Sequence, residues 1–152
     1  MDKAFDNSGL EQALRSGAVV QGGFLGSDPR PLTRIIEEDL RTLEGLGYTP
    51  QRVAQRMAEL TAAAAPRLES WYNINDNIRV RCEEVRGVIV CPWPHAGRYD
   101  KRITIAHRLD LDRSIRWTDL NIHLIGEHSF FEGRGSHFRL DPDELIGIIF
   151  TP

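Results

Sequence analysis

Cysteine is nearly absent from this chain, with two residues, Cys82 and Cys91, among 152. Two thiols cannot build the disulfide framework of a small secreted scaffold. Lysine is equally scarce, two residues against seventeen arginines. Arginine is the better fork for carboxylate and phosphate, but a GC-rich genome gives the same bias and is the simpler account. No apolar run approaches the roughly 20 residues that span a bilayer, and in the middle of the chain the longest is Val88 to Cys91. The first residues, Met1-Asp2-Lys3-Ala4-Phe5-Asp6, offer neither the basic nor the apolar region of a secretory signal. No Asn-x-Ser/Thr acceptor occurs. These absences predict a reducing, cytoplasmic setting and no membrane.

What is present is ordinary for a globular protein: 41% apolar and 27% charged residues. The length predicts one domain over 1–152, helical over 1–66 and β-rich over 67–152. The net charge of −3 is unevenly spread. Residues 1–77 carry 8 basic and 11 acidic groups, whereas residues 78–140 carry 11 basic and 8 acidic groups and all five histidines.

Ser8-Gly9-Leu10-Glu11 reads as a capping box opening a short helix that stops near Gly17. Asp28-Pro29 looks like a second helix start, followed by a stripe of Leu32, Ile36, Leu40, Leu43 and Leu46, widened by Ile35. Thr49 and Pro50 then supply the N-cap and first residue of a third helix, with Val53, Met57, Leu60 and Ala64 inward and Pro66 as stop. The short link between these two helices predicts a helical hairpin.

After Glu69 the apolar period changes from 3.6 to 2. Ile78, Val80 and Cys82 alternate with charged residues, as in a half-buried strand. Val88 to Cys91 reads as a central strand. Ile103, Ile105, His107 and Leu109 form an apolar alternation, which resumes at Ile115 and Trp117 after a turn at 110–114. Residues 119–125 suit a strand, through Leu120, Ile122 and Leu124, although Thr118 would also cap a helix. Phe138 and Leu140 mark a further short strand. Asp141, Pro142 and Glu144 open a final helix with Leu145, Ile148 and Ile149 inward. The expected fold is therefore α+β: N-terminal helices packed on an antiparallel meander of about four to six strands, with a short C-terminal helix.

Chemistry-bearing residues concentrate between 91 and 137. Cys91 and His95, followed by His123 and His128, are the side-chain types that bind zinc, and four of them would close a tetrahedral shell. Their spacing matches no familiar signature: there is no Cys-x-x-Cys and no His-x-x-x-His. The competing account makes Cys91 a small buried hydrophobe and the histidines hydrogen-bonded surface residues. Glu127 and Glu132 are candidate general bases beside such a site. His107, on an apolar face, reads as a satisfied core histidine.

Gly133-Arg134-Gly135-Ser136 is out of register for a nucleophile elbow. The 18–26 segment matches only the last two glycines of a dinucleotide fingerprint. The acidic helical half argues against nucleic acid. Trp93, Tyr99, Phe130, Phe131 and Arg134 are candidate ligand-binding residues, because adjacent Phe130 and Phe131 would point apart and leave one exposed.

The leading expectation is a non-enzymatic binding or interaction domain with no cofactor, partnered by another protein or a second copy. The alternative is a metal-assisted, hydrolytic enzyme that uses a divalent metal such as zinc in the loops of 91–137.

Overall fold

A computed structural model describes residues 7–16, 23–95 and 97–150. The first helix already includes Ser8, which the sequence reads as its cap, and residues 18–22 of the glycine-loop reading lie outside the described residues. Three helices come first: α1 (Asn7–Arg15), α2 (Leu32–Leu46) and α3 (Pro50–Ala64). Six strands follow: β1 (Tyr72–Asn73), β2 (Ile78–Glu83), β3 (Val88–Val90), β4 (Arg98–Asp100), β5 (Ile103–Arg108) and β6 (Arg113–Thr118). Then come α4 (Asp119–His128) and α5 (Pro142–Ile149). The fold is α+β, with an antiparallel four-stranded sheet ordered β1-β2-β5-β6 and a separate antiparallel pair, β3-β4. Among the described residues no helix is long and apolar enough to cross a membrane.

The β3-β4 hairpin is an excursion between β2 and β5. Val88–Cys91 is thus not a central strand, and Val88 and Val90 are exposed. The register also overturns the expected face of β5. Ile78, Val80 and Cys82 stand opposite Arg108, Ala106 and Thr104, and these partners share the buried face. Ile103, Ile105 and His107 occupy the half-buried reverse, where Arg79 Nε donates to His107 Nδ1 (3.2 Å) and His107 Nε2 meets Asp112 Oδ1 (3.0 Å). Pairing with the unambiguous strand β2 outweighs β5's own alternation, because a one-residue slip would expose every core residue of both strands.

Helix α3 folds as its caps dictate: Thr49 Oγ1 accepts from the Arg52 N–H, Pro50 opens the helix, and Val53, Met57, Leu60 and Ala64 are buried. It packs on β2, β5 and α4, while α2 packs on α5. The buried side of α2 is Leu32, Ile35, Asp39 and Leu43, and Leu46 is exposed. Trp117 fills the centre of the sheet core, and its indole N–H donates to Thr61 Oγ1 (3.0 Å), which shares a hydrogen bond with Thr104 Oγ1 (2.7 Å). This satisfies the polar atoms that a buried Trp and two Thr bring with them.

Asp28 does not start a helix. Its carboxylate accepts from the Arg30 and Arg134 N–H groups and from the Arg30 guanidinium, whose hydrogen bonds hold it far below the usual carboxylate range. The 23–28 turn and the 133–136 turn lie backbone against backbone. A Cβ at Gly133 would stand 2.3 Å from the Leu25 carbonyl oxygen, and one at Gly26 would stand 2.3 Å from the Ser136 nitrogen. Gly26 also has φ +59°, where L side chains are strained. These glycines permit loop-to-loop contact.

Residues 119–125 form helix, not strand. Thr118 Oγ1 accepts from the Asn121 N–H (3.1 Å), and Asn121 Oδ1 accepts from the Thr118 N–H (2.8 Å), a reciprocal cap. Phe138 and Leu140 form no strand. Asp141 and Pro142 open α5 as expected, but the Asp141 carboxylate accepts from Arg139 rather than from the helix N–H groups.

Candidate metal centre

Two elements carry the four predicted ligands. Cys91 follows β3, and His95 lies in the loop leading to β4. His123 and His128 lie on α4, His128 being its last residue before Ser129 ends the helix in the left-handed conformation. Five positions turn through about 500° of helix, so these two side chains leave α4 about 140° apart. They nonetheless converge, since one ligand atom from each of Cys91, His95, His123 and His128 lies within 4.8 Å of every other.

The close contacts are His95 Nε2 to His128 Nε2 at 3.0 Å, His95 Nε2 to His123 Nε2 at 3.1 Å, and Cys91 Sγ to His128 Nε2 at 3.6 Å. A tetrahedral zinc with ordinary bond lengths sets its nitrogens about 3.4 Å apart and its sulfur about 3.6 Å from them. These three contacts lie close to such spacings, and the remaining pairs, all within 4.8 Å, would draw in around an ion.

Protons alone satisfy this arrangement poorly. A neutral imidazole nitrogen carries either one proton or one lone pair. His95 Nε2 meets two other ring nitrogens, and a single proton or lone pair serves both only as a weakened, shared bond. A cation among the rings uses every lone pair at once.

The surroundings favour the neutral forms of His123 and His128. Burial lowers the pKa of His123, and the neighbouring His95 lowers it further. Burial, with His123 and His95 nearby, pushes His128 down to about 4. Burial raises the Cys91 thiol. Trp93 stacks on the His128 ring at 4.2 Å and Tyr99 on the His123 ring at 4.6 Å, which fixes both imidazole planes. Phe130 backs Trp93 from the core.

The other predicted residues divide. Glu127 is exposed on α4. Phe130 and Phe131 are both fully buried, against the expectation that one is exposed, because they enter two different core clusters. Arg134 is exposed, and its main-chain N–H binds Asp28. His137 lies outside the cluster, with Arg116 Nη2 at 3.1 Å from its Nε2.

Glu132 is buried and has φ +67°, a strained conformation for a glutamate. Its carboxylate accepts from Asn121 Nδ2 and Ser136 Oγ, both at 2.8 Å. In the sequence Asn121 falls on the polar face of the expected 119–125 strand, and the Thr118-x-x-Asn121 cap is the signal that marks it.

Burial pushes the Glu132 carboxyl up to about 7. Between its ordinary value of 4.5 and 7 only the folded state keeps this proton, so stability falls as pH rises through that window. His128 acts oppositely: stability is lost as pH falls from 6.5 towards 4. Glu132→Gln removes the first trend and leaves the second. Relative to wild type, the variant is expected to gain on the order of 2 kcal/mol between pH 5 and pH 8. Urea denaturation at both pH values measures this difference, and a pH-independent gap would show that the proton is not on Glu132.

Comparison with known protein families, curated proteins and solved structures finds no match.

Proposed function

We propose that this protein is a metal-binding domain in which Cys91, His95, His123 and His128 hold one zinc ion. The observation that carries the reading is the double contact of His95 Nε2 with the ring nitrogens of His123 and His128, which one proton serves only as a weakened, shared bond. The donor set of one thiolate and three imidazoles suits zinc. All four positions of a tetrahedral shell are then filled by protein, which favours a binding or structural role over the hydrolytic alternative, whose metal needs an open position for water. The ion would clamp the β3-β4 hairpin to α4.

The test is metal analysis of protein prepared under reducing, chelator-free conditions, followed by cobalt substitution. One equivalent per chain, with a thiolate-to-cobalt charge-transfer band that Cys91→Ser abolishes and Cys82→Ser keeps, is expected. Less than a tenth of an equivalent after zinc loading would reject the site.

A further inference from the structure

A separate cavity lies outside the His/Cys cluster. It measures about 440 Å³ and opens beside the 130–138 segment. Its apolar walls include Phe24, Ile89, Ile103 and Leu120, and its polar lining includes Lys101 and Glu132. The volume falls in the range of small-molecule sites. None of the four metal ligands lines it.

Three features separate this cavity from a packing defect. First, a charged-capable group is buried within an apolar surface. Glu132 is only 5% exposed, and both its carboxylate partners, Asn121 and Ser136, are neutral. The nearby Arg139 donates to the Glu132 main-chain oxygen (2.7 Å) and gives its guanidinium to Asp39 and Asp141 instead. Such a carboxyl is costly to bury and contributes nothing to an apolar core. Second, each of its oxygens takes one hydrogen bond and has room for another. Third, Lys101 lines the same space with no ion pair among the described residues, its side chain lying beside Gly87. A half-buried cation without a counter-ion invites an anionic group.

We infer that this cavity binds a small organic anion that has an apolar ring or chain and an N–H or O–H donor. The anionic group meets Lys101, the apolar body fills the space between Phe24, Ile89 and Leu120, and the donor reaches Glu132. No covalent step is involved.

The dye 8-anilinonaphthalene-1-sulfonate has all three features: a sulfonate, fused and pendant aromatic rings, and an anilino N–H. Its fluorescence rises when it leaves water. Saturable binding with one dye per folded chain is expected. Lys101→Glu reverses the charge at a half-buried position and should weaken the dye roughly tenfold. Val85→Trp, at an exposed lining position, should abolish binding by filling the mouth. Both variants change residues outside the core, and circular dichroism checks that they fold. As competitors, 4-hydroxyphenylacetate should displace the dye, phenylacetate should do so more weakly for want of the hydroxyl, and the methyl ester of 4-hydroxyphenylacetate should fail. Binding that does not saturate, or that survives both substitutions unchanged, overturns the inference. So does displacement by the ester as readily as by the acid.

Discussion

Zinc added to the metal-free protein is expected to raise its melting temperature by about 10 °C. A ligand that binds only the folded state adds about 4 kcal/mol when present at a thousand times its dissociation constant. For a chain of this length each kcal/mol moves the midpoint by about 2–4 °C. The size of the shift comes from where the ligands sit. Cys91 and His95 belong to a hairpin outside the main sheet, and His123 and His128 belong to a helix wedged between the two apolar clusters. Binding therefore joins a peripheral element to the core. Cys91→Ala and His123→Ala should each remove most of the shift, with affinity reduced at least a hundredfold. His107→Ala and His137→Ala should leave it intact, since those rings are engaged with Arg79 and Asp112 and with Arg116. Differential scanning fluorimetry with a zinc titration reads all five proteins. A shift of equal size in Cys91→Ala and wild type would place the metal elsewhere.

The largest loss of stability should come from Arg139→Ala, about 3–5 kcal/mol. Arg139 forms a two-pronged pair with Asp39 on α2, Nη1 to Oδ2 at 2.6 Å and Nη2 to Oδ1 at 2.9 Å, with 9% and 7% of the side chains exposed. It also donates to the Glu132 carbonyl and to Asp141. Truncating it leaves the Asp39 carboxylate buried without its cation, and that desolvation dominates the cost. The double variant Asp39→Leu with Arg139→Met should recover much of the loss, because apolar residues of similar volume often replace a buried pair without penalty. Urea denaturation of the two single variants and the double variant closes the cycle. If the double variant is as unstable as the sum of the singles, the two side chains are not coupled.

This ion pair also shows where the sequence stops being readable. Asp39 stands in the middle of the buried side of α2, between Ile35 and Leu43. From the sequence it is one more acidic residue of an amphipathic helix, because its partner lies 100 positions away. Local signals were legible wherever the determining contacts were local. Thr49 with Pro50, and the Val53, Met57, Leu60 and Ala64 stripe, fixed α3 from within one segment. They failed where a neighbour decides the outcome. The burial of Thr104 and Ala106 in place of Ile103 and Ile105 follows from the register with β2. In 119–125, apolar residues at every second position fit a strand, and the Thr118–Asn121 cap decided otherwise. The four metal-ligand candidates were recognisable as residue types only. Their meeting depends on a hairpin folding over α4, and the five-residue step from His123 to His128 follows no helical stripe.

The hairpin has one more consequence. Ile89 of β3 lines the Glu132 cavity, and two residues on, just past the end of that strand, Cys91 joins the His/Cys cluster. One short, otherwise peripheral element thus serves as a wall for one site and an arm of the other. If zinc and the organic anion bind as proposed and each favours one hairpin position, the two equilibria are thermodynamically linked. Whatever factor zinc contributes to affinity for the organic anion, the anion must return to zinc.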